Sequence, residues 1–416
     1  MKAKDLIQNK DEFIKLLKTK GYDLEPLVLD IEKKYKKLKK IKLDFENSKA
    51  EINKISKDIS KNIGDKQKLI KKVQSQKENI NSLQNKYKAM ENELNSILLT
   101  IPNIPNNITP IGTDETDNRI IKEAKIKENK FDVKPHWEIL EKYQLADQEF
   151  SASLSGSRFV AYKNKGAILI DALKSYMLET HINNGYTYLN LPLIVNANVL
   201  QGTGQLPKFK DDLYKVDGQY LIPTAEATLT NYAANKTFKE NELPIKLVSY
   251  SQCFRKEAGA AGKDTRGIKR LHQFNKVELV HLVKPEDNIK MLNLMLKQAE
   301  SILKGLKLPY RVSQLCTGEL TFSSSITYDL EVWMPGQKTF MEVSSVSTTD
   351  DFQAKRMQAK YSTKNGKNYI FTQNGSGLAI DRIFAAILEN YQDSKGNIKV
   401  PNALKKYLPF DFEKLD

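Results

Sequence analysis

Cations, carboxylates and an aromatic ring alternate along two neighbouring strand-like runs in the second half of the chain. The first run ends in FRKE (254–257), and the second continues from residue 270 to residue 278 as RLHQFNKVE. Because successive side chains of a strand point to opposite faces, the alternation predicts a hairpin with one strongly polar face. The residues expected on that face are Arg255, Glu257, His272, Phe274, Lys276 and Glu278.

These residue types suit a ligand that combines a nucleotide with an amino acid. The guanidinium of Arg255 can bind a phosphate through two hydrogen bonds, and the ring of Phe274 can stack on a base. The carboxylate of Glu278 can accept from an ammonium or hydroxyl group. The alternative is a surface hairpin whose charges are only solvated, and the hairpin alone does not exclude it.

The elements around this hairpin predict an α+β domain from about residue 119 onward. Helical patterns cover Lys165–Asn183, Pro285–Gly305 and Leu378–Tyr391. Strand-like runs cover Tyr220–Ile222, Lys246–Arg255, Gln273–Val280, Thr327–Trp333 and Tyr369–Thr372. Neither a G-x-G-x-x-G nor a G-x-x-x-x-G-K-[ST] motif occurs, which argues against Rossmann and P-loop nucleotide sites. An antiparallel sheet flanked by helices is expected.

Two heptad seams precede this domain. Asn62-Ile63-Gly64-Asp65 separates them, so two long helices should pack antiparallel, in an arm on the order of 50 Å long at about 1.5 Å per residue. The predicted seam residues are Ile31, Leu38, Ile41, Phe45, Ile52, Ile55, Ile59, Ile70, Val73, Ile80, Leu83, Tyr87, Met90, Leu94 and Ile97. The proline-containing segment 101–118 is expected to be a linker, which predicts domains at 1–118 and 119–416.

Most of the basic charge lies on the predicted arm. The chain has a net charge of +15, and residues 31–90 contain 18 lysines, no arginine and 7 acids, a net charge of +11. Such a surface favours a polyanionic partner. A lysine-rich genome would raise the charge without any function, and a basic coiled coil could instead serve protein contacts.

Metal and membrane chemistry are not indicated. Two cysteines and four scattered histidines offer neither a disulfide framework nor the spacing of zinc ligands, so we expect no zinc. The N-terminus has no apolar signal region, and no run of about 18 apolar residues occurs. A cytoplasmic protein without membrane contact is expected.

Several motifs, in order along the chain, resemble those of seryl-tRNA synthetases of the bacterial type, which are class II aminoacyl-tRNA synthetases. FRKEAGAAGKDTRGIKRLHQFNKVE (254–278) resembles motif 2, GSRFVAYKNKGAILIDALKSYMLETHINNGYTYLNLP (156–192) motif 1, and NGSGLAIDR (374–382) motif 3. GTGQLPKF (202–209), IPTAEATLTN (222–231), YDLEVWMPGQKTFMEVSS (328–345) and DFQAKRMQAKY (351–361) are also similar to the family. Together with the arm, these motifs cover nearly the whole chain.

The resemblance implies ATP-dependent activation of L-serine, followed by transfer of serine to tRNA(Ser). Serine would be bound by Thr224, Ala225, Glu226, Arg255, Glu278, Asn374 and Ser376. ATP would be bound by Arg255, Lys256, Glu257, Leu271, Phe274, Glu342, Val343, Ser344, Ser345 and Arg382. Arg255, Arg382 and Glu342 would be catalytic, and Glu342 and Ser345 would bind Mg²⁺ through the ATP phosphates.

The resemblance also implies a homodimer formed through motif 1 and an arm that grips the long extra arm of tRNA(Ser) bound at the other subunit. Whether tRNA(Sec) is also charged stays open. Three rival functions are a noncatalytic RNA-binding paralogue, a small enzyme that charges carrier proteins, and a basic coiled-coil scaffold. The carrier-charging relatives lack the arm, and the scaffold leaves the motifs unexplained.

A few positions depart from the family pattern. Asn275 stands where the family usually has Asp, and Asp381 where it usually has Gly. The segment Glu319-Leu320-Thr321-Phe322 replaces the usual Asp-Met-Gly-Phe, Ile326 replaces a Lys, and Val346-Ser347-Thr348 replaces Cys-Ser-Asn. None of these changes removes an expected substrate ligand, although they affect the expected shape of a loop.

Overall fold

The computed structural model describes residues 2–61, 65–127, 129–258 and 266–409. By internal contacts the chain divides into two compact units, Met1–Pro102 and Asn103–Asp416. The first unit contains helices α1 (Ala3–Gln8), α2 (Lys10–Thr19), α3 (Glu25–Ser60) and α4 (Lys66–Leu98). None of the helices in the described ranges is long and apolar enough to cross a membrane.

Helices α3 and α4 pack antiparallel, as the heptad seams predict. Lys34, early in α3, forms an ion pair of 2.5 Å with Glu93, late in α4, and Lys72, early in α4, forms one of 3.0 Å with Glu51, late in α3. The 36 residues of α3 correspond to about 54 Å at about 1.5 Å per residue. In the predicted break, Asn62, Ile63 and Gly64 lie outside the described residues. Asp65 begins α4 by accepting from the backbone N–H groups of Gln67 and Lys68.

One predicted seam position is wrong. Ile70 is 41% exposed, whereas its neighbour Leu69 is partly buried. Leu69 and Gln76 continue the seven-residue register of the partly buried Leu83, and Ile70 lies one residue outside it. The seam therefore keeps its seven-residue register, although this places the polar residue Gln76 at a seam position.

The second unit is built on an eight-stranded sheet. The strands of this unit, which form the main sheet and smaller sheets beside it, are β1 (Arg119–Glu123), β2 (Ala146–Asp147), β3 (Ala161–Tyr162), β4 (Thr187–Tyr188), β5 (Ile194–Val195), β6 (Lys215–Val216), β7 (Gln219–Leu221), β8 (Thr237–Lys239), β9 (Ile245–Phe254), β10 (Gln273–Val283), β11 (Tyr310–Gln314), β12 (Ile326–Met334), β13 (Thr339–Thr348), β14 (Lys360–Thr363), β15 (Gly366–Tyr369) and β16 (Phe371–Ala379). The order in the main sheet is β1-β11-β12-β13-β16-β10-β9-β4, and each pairing is antiparallel except β4 with β9. The expected antiparallel sheet is confirmed.

The second unit also contains α-helices, some of which pack against this sheet. They are α5 (His136–Lys142), α6 (Gln148–Ser155), α7 (Asn164–Asn183), α8 (Ala197–Thr203), α9 (Glu226–Thr230), α10 (Asn288–Gly305), α11 (Phe352–Met357) and α12 (Ile380–Asn390). The main core contains Leu173 of α7, Met295 of α10 and Phe384 of α12, each at most 1% exposed. A Cβ on Gly375 would lie 2.8 Å from the sulfur of Met295, and one on Gly377 would lie 2.7 Å from the ring of His181. Glycines in β16 therefore allow helices α10 and α7 to approach the sheet closely.

The helix expected from Leu378 begins two residues later, at Ile380, because Leu378 still belongs to β16. The strand-like run Tyr369–Thr372 divides at Ile370 into the end of β15 and the start of β16. Strand β13, in the middle of the sheet, is not among the expected strands.

The segment expected to be a linker lies against the second unit. The backbone N–H of Asn103 donates to Phe322 O at 2.9 Å, its side-chain amide donates to Thr349 O at 2.9 Å, and Thr109 donates to Ser325 O at 2.8 Å. Since prolines have no N–H, the asparagine and threonine residues between them supply these bonds. By internal contacts, residues 103–118 of this segment group with the second unit. The division into domains at 1–118 and 119–416 stays a prediction.

Candidate active site

The hairpin of β9 and β10 presents the polar face that the sequence predicts. Phe274 pairs with Cys253, and the guanidinium of Arg255 lies 5.2 Å from the centre of the Phe274 ring. The Nε–H of Arg255 donates to Pro223 O at 3.2 Å. Arg255 is thus held over an aromatic ring, and its other guanidinium donors, which form no hydrogen bond within the described residues, can donate to a ligand.

The predicted strand alternation fails at Glu257. Strand β9 ends at Phe254, and Glu257 has a φ of +51°, so it does not continue the extended backbone. Its carboxylate nevertheless faces the site, because Arg270 binds it at 2.7 Å. His272, also expected on the polar face, instead contacts the rings of Phe159 and Tyr214.

A buried cation and carboxylate lie deeper along the same face. The Lys276 ammonium is 2.5 Å from the Glu278 carboxylate and donates to the Thr224 hydroxyl at 2.8 Å. Thr224 in turn donates to Glu278 at 3.3 Å. The side chain of Glu278 is only 1% exposed, so Lys276 supplies the charge that makes this burial tolerable.

Glu226 is a second buried carboxylate beside this cluster. Burial, together with repulsion from Glu278, raises the pKa of Glu226 to about 7. The amide of Gln353 donates to Glu226 at 2.7 Å and to Thr203 O at 3.1 Å, while its oxygen accepts from Thr372 at 2.7 Å. These three bonds orient the Gln353 amide and fix the position of Glu226.

A β-bulge in β13 brings two expected metal ligands to one side of the sheet. On β12, Glu331 pairs with Glu342 and Asp329 pairs with Ser345, so a step of two residues on β12 faces a step of three on β13. Val343 is the extra residue. In a regular strand, residues three apart face opposite sides, but the bulge puts Glu342 and Ser345 on the same side.

Asp329 joins these residues. Burial and the nearby Glu342 carboxylate raise the pKa of Asp329 well above its usual range, and the Ser345 hydroxyl partly offsets this. Within the described parts of the chain, no group of three or more histidine, cysteine, aspartate or glutamate side chains forms a metal site. Glu342 and Ser345 are oxygen donors that suit a hard ion sharing its coordination with phosphates and water.

Arg382, in the first turn of α12, lies across from Glu342. Its guanidinium is 3.2 Å from the Glu342 carboxylate and donates to the Glu342 backbone carbonyl at 2.8 Å. Its Nε–H donates to Lys269 O at 3.2 Å. These contacts place a second guanidinium at the same site as Arg255.

Two of the departures from the family pattern contact each other next to Arg382. The buried Asp381 carboxylate accepts from the backbone N–H of Asn275 at 2.6 Å, from its side-chain amide at 3.2 Å and from the Tyr162 hydroxyl at 2.5 Å. Burial raises the pKa of Asp381. The carboxylate thus ties the start of α12 to β10 and β3 without a cationic partner among these contacts.

Some of these side chains line two adjoining pockets, whereas Glu278, Gln353, Asp329 and Ser345 lie outside both linings. The aromatic pocket is lined by Arg255, Glu257, Ile268, Lys269, Arg270, Leu271, Phe274, Lys276, Glu342, Val343, Ser376, Ala379, Asp381 and Arg382. The second pocket, called the acidic pocket after its buried carboxylate Glu226, is lined by Gln205, Phe209, Asp212, Leu213, Pro223, Thr224, Glu226, Arg255, Glu257, Arg270, Thr321, Ser323 and Arg382. Arg255, Arg270 and Arg382 border both pockets, so an anion placed between them would meet three guanidinium groups.

Not all the expected site residues line these pockets. Asn374 shares a strand face with Ser376 but lines neither pocket, and Ala225 is buried at the start of α9. The Ser344 hydroxyl donates to Ser376 O at 2.6 Å, a structural bond. The ammonium of Lys256 lies over the Tyr214 ring, 5.7 Å from its centre, rather than in a pocket.

Sequence reasoning missed several residues at the site, among them Asp329, Gln353, Arg270 and Thr321. Strand alternation through YDLE could have indicated Asp329, because it shares a face with Glu331. Gln353 and Thr321 carried no such signal, since their positions depend on how separate segments pack.

Known families match both units. The tRNA synthetase class II core domain (G, H, P, S and T) matches residues 208–391, and the seryl-tRNA synthetase N-terminal domain matches residues 2–105. The chain is 50% identical over 319 residues to the serine–tRNA ligase of Caldicellulosiruptor bescii, which covers 76% of each chain. It is 51% identical over 312 residues to that of Mesoplasma florum, which covers 74% of each. The chain belongs to the seryl-tRNA synthetase family.

The fold agrees with this family over its full length. The crystal structure of a seryl-tRNA synthetase from Pyrococcus horikoshii complexed with ATP superposes with a TM-score of 0.91 at 32% identity, covering 100% of this chain and 99% of that one. The cytoplasmic serine–tRNA ligase of Naegleria fowleri in complex with AMP gives 0.85 at 28% identity, covering 98% and 96%. The class II fold with an N-terminal arm of two long helices, expected for the family, is confirmed.

Proposed function

We propose that this chain is a serine–tRNA ligase that activates L-serine with ATP and transfers it to the 3′ end of tRNA(Ser). The proposal rests on the residues that line both pockets. Arg255 and Arg382 lie between an aromatic pocket that suits adenine and an acidic pocket that suits a small amino acid. The retained side chains and the named relatives disfavour the alternative of a noncatalytic RNA-binding paralogue.

Serine would occupy the acidic pocket. Glu226 and Glu278 would accept from its ammonium and hydroxyl groups, with Thr224 and the Ala225 backbone beside them; Asn374 and Ser376 would contact serine from β16. A site built to bind the hydroxyl would reject alanine, because an unpaired buried acceptor costs roughly 1–3 kcal/mol. Threonine would have to be excluded by the size of the pocket.

ATP would occupy the aromatic pocket. Phe274 would stack on adenine, while Glu257, Lys256 and the Leu271 backbone would contact the nucleotide. Arg255 and Arg382 would hold the phosphates, and Val343 and Ser344 would support the strand that carries Glu342 and Ser345. Mg²⁺, held by Glu342 and Ser345 together with phosphate oxygens, would neutralise charge on the departing pyrophosphate.

The proposed first step joins a serine carboxylate oxygen to the α-phosphorus of ATP as the bond to the β-phosphate oxygen breaks. Seryl-adenylate and pyrophosphate result. A carboxylate is already ionised at neutral pH, so this step needs no general base. Arg255 and Arg382 act by positioning the two anions and by neutralising the charge that would otherwise keep them apart.

The second step would transfer serine to the terminal adenosine of a tRNA bound through the basic arm. Lysines along two straight helices bind phosphates without reading bases, which suits recognition by shape. We further infer a homodimer formed through motif 1, in the cytoplasm, with tRNA(Sec) to be tested as a second substrate.

The deciding experiment is amino-acid-dependent ATP–pyrophosphate exchange with serine, threonine, alanine and glycine. Exchange with serine alone, abolished by Arg255→Ala, is the expected result. No exchange from a folded protein would overturn the proposed activation step and favour the noncatalytic alternative. Charging of tRNA(Ser) and tRNA(Sec) transcripts would then identify the acceptor.

A further inference from the structure

A fully buried histidine lies behind the aromatic pocket without lining it. His136 is the first residue of α5, and its Nδ1 is 2.9 Å from the carboxylate of Glu389 in α12. The backbone N–H of His136 donates to the same carboxylate at 3.0 Å. Gly336 N–H donates to it at 3.0 Å and the Gln337 amide at 2.6 Å. A carboxylate surrounded by donors accepts from Nδ1, so the ring proton of His136 lies on Nδ1.

The other ring nitrogen supports the chain segment that enters the pocket. The backbone N–H of Ile268 donates to Nε2 of His136 at 3.3 Å, which requires a neutral ring with Nε2 unprotonated. Next to it, Gly267 has a φ of +77°, and a Cβ there would lie 2.1 Å from Nε2. The backbone at Gly267 and Ile268 therefore rests directly on the imidazole.

Residues immediately after this support build the pocket. Lys269 O accepts from Arg382 at 3.2 Å, Arg270 binds Glu257 at 2.7 Å, and Leu271 lines the pocket. A shift of the backbone at Ile268 would move all three contacts, because they follow within three residues. His136 therefore lies where it can fix the position of the backbone that carries these three residues.

We propose that His136 is a positioning residue for ATP. Its Nε2 holds the backbone of Ile268, and Glu389 keeps the ring in the tautomer that can accept this bond. The inference rests on the proposed ATP-dependent activation of serine. It assigns a role in nucleotide binding to a residue that would not itself touch ATP.

Two substitutions of His136 distinguish the roles of its two ring nitrogens. In His136→Gln the side-chain amide oxygen can reach the Nε2 position and still accept from Ile268, whereas the shorter His136→Asn can replace only Nδ1. In pyrophosphate exchange we expect the Asn variant to raise the KM for ATP about tenfold, with the KM for serine changed less than about twofold. The Gln variant should return the KM for ATP to within about threefold of the unsubstituted protein.

Tyr391→Phe is the matched stability control, because it removes one hydrogen bond, of 2.6 Å to Leu306 O, from a residue that lines neither pocket. It should leave the KM for ATP unchanged at a comparable loss of melting temperature. If the Asn variant does not fold, Glu389→Leu tests the same bond, since it removes the acceptor that holds the proton on Nδ1 and so allows the tautomer that cannot accept from Ile268. It should also raise the KM for ATP.

An unchanged KM for ATP in His136→Asn, or in Glu389→Leu where the Asn variant does not fold, would overturn the positioning role. Equal effects of Asn and Gln, or a parallel rise in the KM for serine, would overturn it as well. Failure of the proposed function looks different, because the unsubstituted protein would then show no serine-dependent exchange at all.

Discussion

The guanidinium of Arg382 lies 3.2 Å from the carboxylate of Glu342, and it also donates to the Glu342 backbone carbonyl at 2.8 Å. The two residues come from α12 and β13 and line the same pocket. Each balances the other's charge. A nucleotide with its metal ion would supply a new partner to each, so the pair is expected to separate when both bind.

Arg382→Ala should lower kcat/KM for ATP in pyrophosphate exchange by roughly 100- to 1,000-fold, the effect expected for losing a group that stabilises transition-state charge. The melting temperature should change little, because a partly exposed ion pair contributes about 0–1 kcal/mol. Arg311→Ala is the matched control, since Arg311 binds Glu331 at 2.8 Å with similar exposure but lines neither pocket. Similar activity losses in both variants would refute the role given to Arg382.

Glu342→Gln should raise the Mg²⁺ concentration that gives half-maximal exchange by about tenfold. The substitution keeps the shape of the side chain but removes the anionic oxygen that a hard cation prefers. Titrating Mg²⁺ at saturating ATP measures the effect. Glu331→Gln serves as control because Glu331 pairs with Glu342 across the sheet and is bound to Arg311 instead. An unchanged Mg²⁺ requirement in Glu342→Gln would exclude Glu342 as a ligand.

The sequence predicted those site residues whose chemical type and strand alternation both place them on the same face. Phe274, Lys276 and Glu278 share a face because β9 and β10 pair in a regular register. Arg255 lies one residue beyond β9, but its backbone N–H still donates to His272 O at 2.9 Å, which keeps it beside this face. Glu257 was misplaced because the strand ends before it, and alternation carries no information beyond the last extended residue.

Other features depend on packing that no local pattern encodes. Strand β16 continues through Gly375 and Gly377 because the close approach of Met295 and His181 requires glycine, whereas glycine by itself predicts a turn. Likewise, the bulge at Val343 follows from the pairing of β12 with β13. The bulge explains why two residues three apart in sequence can act on one ligand.

The KM for serine should fall as the pH rises through about 7. Burial and Glu278 raise the pKa of Glu226 to about 7, so Glu226 is largely protonated and uncharged below that pH and becomes a carboxylate above it. Only the carboxylate can offer a negative charge to the serine ammonium. Exchange assays from pH 6 to 8.5 measure the profile, and Glu226→Gln should remove the inflection while raising the KM. An inflection that survives in Glu226→Gln must come from another group and would contradict this assignment.

Neutralising the arm should impair tRNA charging without affecting serine activation. Five exposed lysines near the predicted turn provide the test, each replaced by glutamine: Lys54, Lys57, Lys61, Lys68 and Lys71. We expect kcat/KM for tRNA(Ser) to fall at least about tenfold near physiological salt, with a weaker dependence on salt, because fewer phosphates are neutralised. Pyrophosphate exchange, which needs no tRNA, should stay within about twofold.

A second set of five exposed lysines, all in the second unit, removes the same net charge elsewhere: Lys290, Lys364, Lys367, Lys395 and Lys399. If attraction to the whole basic protein drives tRNA binding, both sets should reduce charging equally, since long-range attraction depends on total charge. If the arm grips the tRNA, only the first set should do so. A loss of exchange in the first set would instead mean that the arm supports the catalytic unit. It would refute the assignment of tRNA binding to the arm and of serine activation to the second unit.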